Sequence, residues 1–175
     1  MTKSLDLRES TASDLPAIVV LYCASFPDED LSPLLEDLLA DRSGVLSLVW
    51  DHSGTVVGHV AFSMCGIDER PGHAALLGPL AVLPEWQRKG LGAALVREGL
   101  NRMAHAGVTL VLVLGDPAYY GPLGFAREAN VAPPYPLAAE WRTAWQSLRL
   151  HGGDARSHGQ LIVPEPWRRP ALWRP

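Results

Sequence analysis

The sequence predicts an α/β fold, a mixed and mostly antiparallel central sheet with flanking helices. Three observations carry the prediction. β-rich runs at 45–51, 55–65 and 73–83 follow one another with only short turn-forming clusters between them, as antiparallel hairpins do. A long helical pattern (Leu91, Ala94, Leu95, Glu98, Arg102) is then followed by the apolar run VTLVLVL at 108–114, which suits a strand buried on both faces. The join between the third run and that helix is the basic, glycine-rich loop Gln87-Arg88-Lys89-Gly90-Leu91-Gly92.

Taken in order, Leu5 to Glu9 alternates as a short strand, and Ser13-Asp14 offers helix N-caps before LPAIVVLYCASF. Asp28-Glu29-Asp30 is expected to form the acidic first turn of a second helix, whose leucines at 34, 35, 38 and 39 mark one buried face. His52-Ser53-Gly54 is the turn between the first two β-rich runs, and 68–72 the next. Leu76 to Leu83 is interrupted by Gly78 and Pro79, and the long helix begins just after Gly90 and closes at Gly107. Helix followed by buried strand implies a crossover beside the first strand. From 116 to 124 there is room only for a short helix, which Gly124 stops; 125–131 reads as a strand. Pro133, Pro134 and Pro136 break the pattern, 144–150 alternates as the penultimate strand, 151–159 is polar, and 160–163 is the last strand. No internal repeat is present.

With 175 residues, 47% of them hydrophobic, the chain is read as one globular domain, 1–175, with a motif core at 76–125 and C-terminal strands and tail at 126–175. A formal net charge of -4 gives no general reason to bind nucleic acid. No apolar run is long enough to cross a bilayer and MTKSLDLRES lacks a signal-peptide core, so a cytoplasmic protein is expected. Cys23 and Cys65 have no CxxC or His partners; neither a disulfide nor a metal site is expected, and both are read as free buried thiols. The loop into the long helix is expected to cradle an anion, because unpaired N–H groups and a partial positive charge gather at a helix N-terminus and glycine lets an anion approach.

The order of elements, the hexapeptide Gln87–Gly92 matching Q/R-x-x-G-x-G/A, and the Gly115-Asp116-Pro117-Ala118-Tyr119-Tyr120 to Gly124-Phe125 segment together resemble the GNAT N-acetyltransferases, in particular a small bacterial group of them. The resemblance implies transfer of an acetyl group from acetyl-CoA, as cosubstrate and without a metal, to a primary amine of a small molecule, peptide or protein. It implies that the loop residues Gln87, Arg88, Lys89, Gly90, Leu91, Gly92 and Ala93 hold the CoA pyrophosphate. Leu80, Ala81 and Val82 would pair with the pantetheine arm, Gly78-Pro79 would mark a bulge, and an N–H near Val82 or Leu83 would polarise the acetyl carbonyl. Tyr120 takes the position of the family's general acid and a contact to the cosubstrate, with Tyr119 its buried neighbour. The strand before the loop lacks the family's glutamate, which leaves His73, Asp116 or a water as base; Asp116 equally suits a helix cap. Asp28–Asp30 lies where such proteins shape the acceptor pocket, although a solvated helix start explains it as well.

Two further function classes fit parts of the pattern. A non-catalytic acyl-CoA-binding domain would keep the loop without the chemistry. A dinucleotide-binding unit would use Gly90-Leu91-Gly92, but Leu95 stands where a third glycine is required. Trp141, Trp145, Trp167 and Trp173 crowd the last third together with arginines that include Arg142. They either form a binding surface for an acidic or aromatic acceptor or a dimer partner, or pin the proline-rich tail to the body. Trp86 is expected to pack under the phosphate turn. Monomer and homodimer both remain open.

Overall fold

A computed structural model describes residues 3–40, 42–151 and 157–174, and its contacts divide into two compact units: 1–62 with 79–99, and 63–78 with 100–175. The strands β3 (Thr55–Ile67) and β4 (Arg70–Val82) and the helix α3 (Leu91–His105) each give a part to either unit.

In the first unit the strand order is β1-β2-β3-β4, where β1 is Leu5–Glu9 and β2 is Val45–His52. β1 runs antiparallel to β2, from Leu5↔His52 to Glu9↔Leu48. Ser53 and Gly54 turn β2 into β3 with φ of 51° and 89°, the two positive values that a two-residue hairpin turn needs. The helix α1 (Leu15–Ser25) is entered differently from expectation. A single 3-10 turn precedes it, and its capping box joins Thr11 to Asp14, with the Thr11 N–H donating to Asp14 at 2.7 Å. Arg8 ties that cap to the sheet by bridging Asp14 and Asp51 at 2.8 and 2.9 Å. The four leucines expected on one face of α2 (Ser32–Ala40) are all buried. Asp28–Asp30, however, lies ahead of this helix rather than in its first turn, and the Asp30 carboxylate accepts the Ser32 N–H at 3.0 Å. A short acidic side chain caps a helix more readily than it enters one.

A polar line crosses the core of this unit. His59, fully buried, meets the Tyr22 hydroxyl through Nδ1 and the Ser47 hydroxyl through Nε2, both at 2.8 Å. Ser10 donates to Ser47 at 2.6 Å, and Arg42 donates to the Ser10 carbonyl and hydroxyl. Loss of water, helped by the Arg42 charge and opposed by Asp14, depresses the His59 pKa to about 3, so the imidazole is neutral.

In the second unit β5 (Leu110–Leu114) pairs in parallel with β4, from Ala74↔Leu110 to Leu76↔Leu112. The crossover therefore returns the chain beside β4, which feeds the helix, while β1 is paired with β2. β8 (Trp145–Arg149) is antiparallel to β5, and β6 (Ala126–Arg127) to β8. β9 (Gly159–Ile162) pairs with the end of β3 and with β7 (Val131–Ala132). Between β5 and β6 stands α4 (Pro117–Tyr120), and Gly124, at φ 99°, turns the chain out of the 3-10 turn that follows.

The single strand expected over 125–131 is two short ones, because Glu128 intervenes. Its buried carboxylate accepts the N–H groups of Asn130 and Val131 at 2.7 and 3.0 Å, curling the chain into a turn. Burial disfavours its charge, yet the Ser147 hydroxyl, these two N–H groups and the Arg149 charge outweigh burial and hold it below the usual carboxylate range. The tail is pinned as the tryptophans suggested. Trp167 donates to the Ser63 hydroxyl and Trp173 to the Trp167 carbonyl, both at 3.0 Å, and Trp173 meets Trp145 edge to face. Of the two thiols expected to be buried, Cys65 is and Cys23 is exposed, because α1 is apolar all round and its sequence does not mark the side that faces solvent. Most of the polar segment 151–159, namely 152–156, lies outside the described residues.

Candidate active site

The loop expected to cradle an anion has the geometry for it. Pro84–Trp86 forms a 3-10 turn, Gln87 to Gly90 are exposed, and the chain passes through positive φ at Arg88 (60°) and Gly90 (82°) before α3 begins at Leu91. The first bond of the helix runs from the Ala94 N–H to the Gly90 carbonyl, which leaves the N–H groups of Leu91, Gly92 and Ala93 ahead of the ladder. Neighbouring side chains fix this start. The Trp50 indole donates to the Leu91 carbonyl at 3.0 Å, and the Gln87 amide donates to the Val82 carbonyl at 3.0 Å. Trp86, half-buried, packs on His52 and carries the Lys89 ammonium over its ring at 5.1 Å. Gln87 thus braces the loop from within, and Arg88 and the backbone present the exposed positive face.

β4 meets the loop out of register with a simple hairpin. From Arg70 to the Leu83 N–H that donates to Val57, it uses fourteen residues, where β3 uses eleven, Val57 to Ile67. The surplus fits the interruption at Gly78, which adopts φ 147°, and Pro79, which has no N–H to give the ladder. The β4–β5 register ends at Leu76↔Leu112, two residues short of Gly78 and of Leu114. Two main-chain groups named from the sequence are already engaged. The Leu83 N–H is bonded to Val57, which removes it as a donor to an acyl oxygen, and the Val82 carbonyl receives both Ser25 and Gln87.

In the second unit Tyr120 is 9% exposed and lies edge-on to Phe125 and to Tyr119. Its hydroxyl has no hydrogen-bond partner among the described residues. Burial, with a smaller contribution from Tyr119, pushes its pKa well above the ordinary tyrosine value, so it is a proton donor at any physiological pH. Gly115 makes room for the ring, since a Cβ there would collide with it. Tyr119, expected to be buried, is 41% exposed, because the short helix turns it outward.

The base candidates do not gather around Tyr120. Asp116 is on the same turn, but its exposed carboxylate accepts the Ala118 N–H at 2.9 Å as the cap of α4. His73 is exposed beside Ala74, which pairs with Leu110, whereas Tyr120 follows Leu114; at about 3.3 Å per residue they are separated by roughly 16 Å of strand. Among the described residues no group of three or more His, Cys, Asp or Glu is placed to hold a metal. Sequence reasoning overlooked Trp50 and Ser25, whose contacts join distant segments. It also overlooked Glu128, for which a charged residue inside an apparent strand was the available signal.

The profile of the acetyltransferase (GNAT) family matches residues 10–125. The chain belongs to the GNAT family. It is therefore an acyltransferase, of the N-acetyltransferase type, and the dinucleotide-binding alternative falls. The uncharacterized N-acetyltransferase YjhQ of Escherichia coli K12 is 31% identical over 94% of this chain and 93% of its own length. YhbS of the same strain is 32% identical over 83% of this chain and 85% of its own length. Among solved structures, Escherichia coli YhbS in complex with CoA superimposes with a TM-score of 0.82 at 29% identity, covering 97% of this chain and 94% of that one. A GNAT acetyltransferase from Brucella melitensis in complex with acetyl-CoA gives 0.77 at 28% identity, covering 94% and 99%. The mixed, mostly antiparallel sheet with flanking helices is the fold of this GNAT family.

Proposed function

We propose that the protein transfers an acetyl group from acetyl-CoA to a primary amine by direct attack within a ternary complex. The observation that carries this is the N-terminus of α3, where three N–H groups stand ahead of the helix ladder behind an exposed Arg88 and a positive-φ Gly90. Solved relatives that hold CoA and acetyl-CoA support it. The backbone from Arg88 to Ala93 binds the pyrophosphate, Arg88 and Lys89 add charge, and Leu80 to Val82 offer main chain to the extended pantetheine arm, with the Val82 carbonyl already occupied.

Tyr120 stabilises the departing thiolate. An ordinary thiol has a pKa of about 8.5 and Tyr120 lies far above that, so it serves as a hydrogen-bond donor in the transition state. The proton that finally reaches sulfur comes from the attacking amine. With His73 remote and Asp116 engaged as a cap, a water-mediated path is the base we favour. We further read the protein as a bacterial cytoplasmic enzyme, monomeric or homodimeric, acting on a small-molecule or peptide amine without nucleic acid, membrane or metal. Its net charge of -4 and its Escherichia coli relatives support that setting, and no described helix is long and apolar enough to cross a membrane.

Calorimetric titration with acetyl-CoA and desulfo-CoA tests the donor assignment. We expect saturable binding at roughly 1–1000 μM, the usual substrate range, abolished by Gly92→Glu. That substitution suits a helix N-terminus electrostatically while its charge repels phosphate. No binding by the native protein, or undiminished binding by the variant, refutes the assignment.

A further inference from the structure

The second unit contains an open pocket of about 500 Å³, a volume within the range of small-molecule sites. Its lining is built by the Glu128 turn. That turn carries the chain away from β6, brings Val131 to the Trp145 indole at 2.8 Å, and leaves a concavity between β8 and the proline-rich segment after β7. Trp145, Pro133, Pro136 and Leu137 give it apolar walls.

The charged groups that line it are Arg127, Arg142 and Glu128. Glu128 is fully engaged, accepting the Asn130 and Val131 N–H groups and the Ser147 hydroxyl. The two guanidinium groups and the Tyr135 hydroxyl, by contrast, have no hydrogen-bond or ion-pair partner among the described residues. Two unpartnered cations against one satisfied carboxylate leave the lining net positive in a chain whose total charge is -4. The local excess of positive charge therefore runs against the balance of the whole chain.

We propose that this pocket is a binding site for a small organic carboxylate with an apolar body. Arg127 and Arg142 receive the carboxylate, which a guanidinium matches with two parallel N–H donors, and Trp145 and the prolines cover the apolar part. The same Arg142 and Trp145 belong to the tryptophan and arginine cluster conspicuous in the sequence, so that cluster divides in two. Trp167 and Trp173 hold the tail, and Arg142 and Trp145 face a ligand.

The site is tested without turnover, so its failure is distinct from failure of acetyl transfer. Phenylacetate is titrated into 15N-labelled protein, with phenylacetamide, phenethylammonium and inorganic sulfate as comparison probes. We expect phenylacetate to shift the amides of Ala129, Val131 and Ala132 saturably, and the amide, amine and sulfate to bind at least about tenfold more weakly. Arg127→Gln and Arg142→Gln, both at exposed positions, are each expected to weaken phenylacetate about tenfold while leaving the rest of the spectrum in place. Equal binding of acid and amide, sulfate binding as tight as phenylacetate, shifts located elsewhere, or no saturable shift overturns the proposal.

Discussion

Replacing Tyr120 by Phe separates catalysis from packing with one oxygen atom. The ring fills the space beside Gly115 and lies against Phe125, and phenylalanine keeps both contacts. Because the hydroxyl has no partner among the described residues, its loss is expected to change stability by less than ~0.5 kcal/mol, a shift of about 1–2 °C in Tm for a chain of this size. In the proposed transition state the same oxygen faces a developing thiolate. A hydrogen bond to a charged group contributes about 1.5–3 kcal/mol, and at 1.36 kcal/mol per decade its loss lowers kcat roughly 10- to 150-fold. The assay is release of free thiol from acetyl-CoA with the best acceptor of a primary-amine panel, alongside a thermal melt and a calorimetric donor titration. Donor affinity and melt should be nearly unchanged while kcat falls. Since burial raises the Tyr120 pKa, the native enzyme should also show no alkaline loss of rate from this residue up to pH 10. A variant within twofold of native kcat at equal donor affinity would refute the role and leave Tyr120 a packing residue. A large loss of Tm would instead show that the hydroxyl is satisfied in the fold.

Gly99→Ala would drive a Cβ into the ring of the fully buried Phe62, so we expect a loss of about 1–3 kcal/mol, or roughly 3–10 °C in Tm, relieved in part by Phe62→Leu; an unchanged melt contradicts it. Trp50→Phe removes the donor to the Leu91 carbonyl and loosens the start of α3, so acetyl-CoA affinity should fall about fivefold, as read by calorimetry. His59 makes stability depend on pH in a definite direction. With the native pKa near 3 and an unfolded value of about 6.5, the unfolded chain binds the extra proton between those values, so stability falls as pH drops through that window by up to ~1.4 kcal/mol per unit. Urea midpoints at pH 7, 6 and 5 should show a steeper decline for the native protein than for His59→Gln, and parallel curves would mean that the imidazole is not held neutral.

What the sequence discloses and what it withholds divide along the range of the interactions involved. The leucines of α2, the hairpin at Ser53-Gly54, the start of α3 at Leu91 and its closure at Gly107 are decided within a few residues by periodicity and by backbone φ, so they are legible in order. The same holds for the conformation of the loop at 87–92, whose positive φ at Arg88 and Gly90 leaves free the N–H groups on which the proposed donor site rests. Errors arise where one side chain overrides the pattern. Glu128 captures the N–H groups that a strand over 125–131 would have used, and Asp30 caps a helix it was expected to enter. α1 is apolar on every side, so its sequence does not distinguish the buried Tyr22 face from the exposed Cys23 face. The base candidates and the pocket are the least legible for a related reason. They depend on which segments meet: His73 looks like a base until the register with β5 sets it at the far end of the strand from Tyr120. Arg127, Arg142 and Tyr135 look like scattered surface residues until the Glu128 turn gathers them around one pocket. The proposed donor loop is therefore written locally, in a hexapeptide, and the proposed carboxylate pocket in a turn whose formation depends on a single buried carboxylate. Variation at that turn would reshape the pocket while leaving the loop at 87–92 with its own local geometry.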